Sequence, residues 1–203
     1  LGNENNYPFT KTNASTYPEA YAKFLNKAAL LIHELDGKHP VALVNGEDNL
    51  LKYYAKFAPA IDIFGTNSYK GPFGFGSIWN NVKNTYDKPV LITEYGGNES
   101  VDEAGQMSYH RGCWGNIQKN GAGGSGAGNA IGGMAFEWLD RWWTGGEPFK
   151  HAKMNLNIKP GATNWNQEYA GFAAQGNGSQ SPFMRQLRKV YFLYKNELWN
   201  NRN

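Results

Sequence analysis

The stretch Lys88-Pro89-Val90-Leu91-Ile92-Thr93-Glu94-Tyr95-Gly96-Gly97 is a short apolar run that ends in a carboxylate and then in two glycines. Pro89 suits a strand's first position and no later one, and Val90, Leu91 and Ile92 form the near-continuous apolar run of a parallel strand covered on both faces. Gly96 and Gly97 stop it. The segment therefore predicts a buried strand with Glu94 at its C-terminal mouth, the end at which ligands and chemistry sit in parallel α/β folds.

Working outward, the same pattern recurs. His39-Pro40-Val41-Ala42-Leu43-Val44-Asn45-Gly46 repeats the proline, apolar run and polar exit, and Ile61 to Tyr69 forms a third strand whose alternation puts Ile63, Gly65, Asn67 and Tyr69 on one side. Ile131 to Trp138 reads as a further strand. Leu1-Gly2-Asn3-Glu4-Asn5 is short, yet it too ends in an acid that leads into a polar loop.

Helices fall between these strands. Thr16 and Glu19 stand at capping-box spacing, Pro18 suits a first turn, and Tyr21, Phe24, Leu25, Ala28, Leu31, Ile32 and Leu35 share one face. A short helix carries Leu50, Leu51, Tyr54 and Phe57, and Ser77 is placed to cap another with Ile78, Val82 and Tyr86. After Glu94 a longer helix sets His110, Cys113, Trp114 and Ile117 on one face and stops at Asn120-Gly121, with His110 read as a core or interface residue rather than a ligand. The glycine-rich run 121–128 lacks the Lys and Thr of a phosphate loop and reads as a connector. A long loop rich in Asn, Gly and Trp runs to about Gln180, and Ser181-Pro182 opens a last helix with Phe183, Leu187, Val190, Tyr191, Tyr194 and Leu198 inward. Strand and helix thus alternate along the whole chain. Such regularity means a parallel sheet, either open and doubly wound or part of an eight-stranded barrel.

Composition narrows the function. The 203 residues are 40% apolar and 15% aromatic, those of an ordinary globular chain, and the net charge of +3 is spread without a basic run that would favour nucleic acid. One cysteine excludes an internal disulfide, and four scattered histidines form no zinc spacing, so neither metal nor cofactor is expected. No apolar run is long enough to span a membrane. Three Asn-X-Ser sequons, at Asn13, Asn98 and Asn177, would accept glycans in a secreting eukaryote. The chain begins at Leu1, without an initiator Met or a signal peptide, and looks cut there.

The alternation brings Glu4, Asn45, Asn67 with Tyr69, Glu94 and Trp138 to one rim of the sheet. Two glutamates there suit glycoside hydrolysis, which needs one carboxyl to protonate the leaving oxygen and a second to attack the anomeric carbon or to activate water. Neighbouring acids push their pKa values apart, so one stays protonated while the other remains ionised. Glu137 and Asp140 are read as partners of Arg141 or of sugar hydroxyls, and Glu47-Asp48 as a loop or helix start.

Gly2-Asn3-Glu4, Asn67-Ser68-Tyr69, Ile92-Thr93-Glu94-Tyr95-Gly96 and Phe136-Glu137-Trp138 together resemble strands four, six, seven and eight of glycoside hydrolase clan A, the (β/α)8-barrel retaining β-glycosidases. The family 2 enzymes and the β-1,3-glucanosyltransferase group, whose nucleophile strand also ends in Glu-Tyr-Gly, are the nearest in pattern. The resemblance covers nearly the whole chain. It implies a retaining mechanism with Glu4 as general acid/base and Glu94 as nucleophile. Asn3 would hold the sugar 2-hydroxyl, Tyr69 would hydrogen-bond the nucleophile, and Asn67 would belong to the sugar-binding set. Trp138 would form a stacking floor, or else be a core residue with Trp142 and Trp143 extending the cleft instead.

One departure is large, because strands one to three and the sugar-binding arginine commonly found on strand two have no counterpart. Residues 1–203 are therefore expected to be a single catalytic-domain portion, the last five βα units of a TIM barrel, which needs its missing N-terminal part as partner. The expected substrate is a β-linked oligosaccharide or polysaccharide and the expected location extracytoplasmic. A transglycosylase and a catalytically incomplete carbohydrate-binding fragment are the alternatives. A doubly wound nucleotide-binding domain is disfavoured by the lack of a glycine fingerprint after any strand.

Overall fold

A computed structural model describes residues 1–10, 12–96, 103–141, 170–174 and 186–200. They divide into two compact units. The first comprises Leu1–Lys70, Phe75–Glu94 and Asn116–Met134, and the second Gly71–Gly74, Tyr95–Gly115 and the described part of Ala135–Asn203.

The first unit holds most of a four-stranded sheet made of β1 (Ala42–Gly46), β2 (Ile63–Asn67), β3 (Val90–Tyr95) and β4 (Ala130–Ala135), adjacent in chain order. β1 pairs with β2 and β2 with β3, both parallel, and a register shift between Thr66 and Asn67 sets Asn67 opposite Glu94. The segment Leu1–Glu4 extends the sheet past β1: the Val44 amide donates to the Leu1 carbonyl at 3.0 Å, and the Glu4 amide donates to the Val44 carbonyl at 3.1 Å. Five chain segments thus lie side by side in sequence order. An open doubly wound sheet would reverse that order at its switch point.

Helices α1 (Pro18–Leu35), α2 (Leu51–Phe57), α3 (Ile78–Thr85) and α4 (Glu103–Asn120) alternate with the strands. Leu43, Phe64, Val90 and Ile92 of the strands are buried, as are Leu25, Tyr54, Ile78 and Val82 of the helices. Gly65 is required by this packing, because a Cβ there would stand 2.3 Å from the Leu43 carbonyl oxygen of the neighbouring strand.

Three local expectations are corrected. The capping box does not form: Tyr17 precedes α1 without a side-chain cap, and the Thr16 and Tyr17 amides bond instead to the Asn13 carbonyl, a backbone turn taking the place of the hydroxyl. α1 buries Ala22, Leu25 and Ala29 and leaves Phe24, Leu31 and Leu35 exposed, since small side chains permit the closest approach to its neighbours. Ser77 stands at the N-cap of α3, but its hydroxyl accepts from the Asn81 side chain at 3.0 Å rather than from a backbone amide.

In the second unit His110 is buried among the rings of Tyr95, Tyr109, Phe172 and Tyr194, and burial pushes its pKa down to about 3. Its Nδ1 lies 3.1 Å from the Tyr194 hydroxyl, which meets the Tyr95 hydroxyl at 2.6 Å. β5 (Ala173–Ala174) pairs antiparallel with β6 (Gln186–Leu187), a ribbon absent from the sequence expectations. The last helix is therefore shorter than expected: Leu187 lies in β6, α5 (Lys189–Leu193) starts after Arg188, and a π-helical turn (Tyr194–Leu198) follows. Arg188 fixes that start by gripping buried Asp140 with two nitrogens, at 2.6 and 2.7 Å. Asp140 thus pairs with Arg188 and not with Arg141, which binds Glu137 at 2.5 Å. Ser181, Pro182 and Phe183 lie outside the described residues. Among the described residues no helix is long and apolar enough to cross a membrane.

Candidate active site

The first unit alone brings Asn3, Glu4, Asn67, Tyr69 and Glu94 together at the C-terminal ends of its strands. Asn67 is the hub. Its Nδ2 donates to Glu4 Oε1 at 3.1 Å and to Asn3 Oδ1 at 3.0 Å, while its Oδ1 accepts from the Thr93 hydroxyl at 2.6 Å. The carboxamide is buried, so both of its ends are satisfied within the cluster. On the adjoining strand the Tyr69 phenol donates to Glu94 Oε2 at 2.6 Å, a charge-assisted bond.

Glu4 leaves the sheet with φ +51, a left-handed backbone that a non-glycine residue rarely adopts. Such a conformation costs on the order of 1 kcal/mol or more and persists where its surroundings over-determine it. Here the backbone bond to Val44 and the following loop do so: buried Asn6 donates to the Gly46 carbonyl at 2.8 Å and accepts from the Gly46 amide at 2.7 Å.

Burial raises the Glu4 pKa above its ordinary value of 4.5, and the Asn67 hydrogen bond acts against that rise. The charges of Glu94 and Glu47 push it further up. Burial, with the charge of Glu94 adding to it, thus biases Glu4 toward the protonated form.

Two further groups border the cluster: Glu47, read in the sequence only as a loop or helix start, and Tyr7, which that reading passed over. Glu47 is a third carboxylate near the cluster, but it is occupied: Ser68 donates to both of its oxygens at 3.0 and 3.1 Å, and Lys70 pairs with it at 2.8 Å. Burial first, and then the charges of Glu47, Glu4 and Asp48, push the Tyr7 phenol up to about 12. Its position three residues after Glu4 was the available signal. Asn45, expected at the rim, is buried and consumed by the fold, donating to the Glu47 and Asn49 carbonyls and accepting from the Tyr54 hydroxyl.

Trp138 belongs to the second unit, where it is 56% exposed and meets Tyr191 edge to face at 6.1 Å. Trp142 and Trp143 lie outside the described residues. Among the described residues no group of three or more His, Cys, Asp or Glu is arranged to hold a metal ion.

Comparison with known proteins defines the class of fold. No protein-family model and no curated protein matches the chain. Among solved structures it is similar to a β-D-glucuronidase of Dictyoglomus thermophilum, with 14% identity and a TM-score of 0.56 over 88% of this chain. It is similar also to a Bifidobacterium dentium β-glucuronidase complexed with coumarin-3-O-glucuronide, with 17% identity and a TM-score of 0.58 over 90%. An exo-β-agarase gives 17% identity and a TM-score of 0.52 over 77%. These likenesses establish an α/β fold shared with glycosidases. The chain spans under a third of each of those proteins, 29%, 27% and 20% of their lengths.

Proposed function

We propose that this chain supplies the two catalytic glutamates of a retaining β-glycosidase. The observation that carries the proposal is geometric: at the C-terminal ends of adjacent parallel strands Asn67 bonds Glu4 at 3.1 Å, Tyr69 bonds Glu94 at 2.6 Å, and Asn67 stands opposite Glu94 in the sheet. In this mechanism the Glu94 carboxylate attacks the anomeric carbon while Glu4 gives its proton to the glycosidic oxygen, and the leaving sugar departs. Glu4, now a carboxylate, takes a proton from water as that water attacks the same carbon. Glu94 is released and the product keeps the β configuration.

Tyr69 holds the nucleophile by its phenol, and Asn67 holds the acid. Asn3 spends its Oδ1 on Asn67, which leaves its amide hydrogens for the sugar 2-hydroxyl.

The same proposal makes the chain the last five βα units of a (β/α)8 barrel, with Leu1–Glu4 in the fourth strand's place and β4 in the eighth's. Sequential strand order supports it. So do the exposed apolar residues Phe24, Leu31 and Leu35 on α1 and Ile131 and Met134 on β4, which the remaining barrel units would cover. The substrate is a β-linked glycan, met outside the cytoplasm.

The test is Glu94→Gly in the complete enzyme. Turnover should vanish, and added azide should restore it with a glycosyl azide of inverted configuration as product. Full activity in that variant would end the proposal.

A further inference from the structure

Five residues after Glu4 stands an exposed aromatic ring with no role in the cluster described above. Phe9 is 70% exposed, and its ring lies on that of Tyr7 with centroids 4.8 Å apart and planes 21° from parallel. An exposed phenylalanine would ordinarily be mobile, but this one is braced. The Tyr7 amide donates to the Glu4 carbonyl at 3.0 Å, so the turn starts at the acid itself. The Tyr7 carbonyl accepts from the Thr10 amide at 3.2 Å and from the Thr10 hydroxyl at 2.6 Å, closing the 3-10 turn Pro8–Thr10 around Phe9. Behind them the Tyr7 ring rests against Gly46, where a Cβ would come within 2.0 Å of Tyr7 Cε2. Gly46, Tyr7 and Phe9 therefore form a layered stack that starts on β1 and ends in an open ring face.

We propose that this stack is a sugar-binding platform, with Phe9 packing against the pyranose ring of the leaving group while Glu4 protonates the bond beyond it. The inference rests on the proposed glycosidase activity and adds the substrate's leaving-group side to it. A flat ring whose one face is taken by Tyr7 has its other face to offer, and the axial C–H groups of a β-linked pyranose are the apolar surface that matches it. The turn that carries the platform is hydrogen-bonded to the acid's own carbonyl, so a sugar seated there is positioned relative to the proton donor. Leaving groups too small to stack would gain nothing from it.

The experiment compares the complete enzyme with its Phe9→Ala and Phe9→Trp variants. Substrates are cellobiose, laminaribiose and lactose, set against β-glucosyl and β-galactosyl fluorides, which carry no leaving-group sugar. Phe9→Ala should lower the ratio of kcat/KM for disaccharide over fluoride about tenfold, equivalent to roughly 1.4 kcal/mol, and Phe9→Trp should restore it. A ratio within about twofold of wild type in Phe9→Ala would overturn the platform.

Binding of the same disaccharides, followed by NMR of the aromatic ring protons, gives a readout independent of turnover. If the wild type binds but cleaves none of the probes, the glycosidase proposal fails, and loss of binding in Phe9→Ala still supports the platform. Equal binding by the two proteins, or none by either, overturns it.

Discussion

The Tyr69 phenol donates to Glu94 Oε2 at 2.6 Å, across 25 positions of sequence, and so ties the loop after β2 to the carboxylate of β3. A short bond to an anion of this kind contributes about 1.5 to 3 kcal/mol. Tyr69→Phe keeps the ring and deletes that bond. Its kcat should fall about 10- to 100-fold with KM little changed, as steady-state kinetics will report. A Tyr69→Phe enzyme with wild-type kcat would show that the phenol does not serve the nucleophile.

Asn67 is bonded to Asn3, Glu4 and Thr93 at once, so its loss should act on both stability and titration. Asn67→Ala leaves the Thr93 hydroxyl without this acceptor, a cost of about 1 to 3 kcal/mol measurable by urea unfolding. The Asn67 hydrogen bond also holds the Glu4 pKa down against burial. Its removal should move the alkaline limb of the kcat/KM profile to higher pH, because that limb follows loss of the acid's proton.

Glu4 itself should weaken the fold at neutral pH. Its folded pKa is raised above the ordinary 4.5, so the folded state binds its proton more tightly than the unfolded chain does. The contribution to stability is then fully present below 4.5 and is lost as pH rises through the folded value. Glu4→Gln keeps an oxygen for Asn67 and removes the charge. Thermal unfolding should find the variant at least as stable as wild type at pH 7, with the difference shrinking toward pH 4. A variant less stable at pH 7 than at pH 4, relative to wild type, would contradict the assignment.

Asp140 and Arg188 form a buried, doubly bonded ion pair at the start of α5. Arg188→Met removes the guanidinium that holds buried Asp140 and should cost about 3 to 5 kcal/mol by chemical denaturation. The double variant Asp140→Asn, Arg188→Met should recover part of that loss, since no charge is then left buried.

Much of this arrangement was legible in local pattern. A proline, a short apolar run and a polar exit reported buried strands at β1 and β3, because a strand covered on both faces is built from such a run. Two acids at strand ends followed from that, and their placement at one end of a parallel sheet is a consequence of every strand running the same way.

What local pattern could not carry was partnership. Helical period marked Phe24, Leu25, Leu31 and Leu35 of α1 as one face, yet only the fold decided that Leu25 is covered together with Ala22 and Ala29 while the other three stay exposed. Glu47 and Glu4 look alike in sequence, each at the polar exit from a strand. Tertiary structure separated them by closing Ser68 and Lys70 around Glu47 and by leaving Glu4 to Asn67, 63 residues away. Sequence spacing determines which side of a strand a residue takes; the hydrogen bonds and charges that set a carboxyl's protonation come from neighbours distant in the chain.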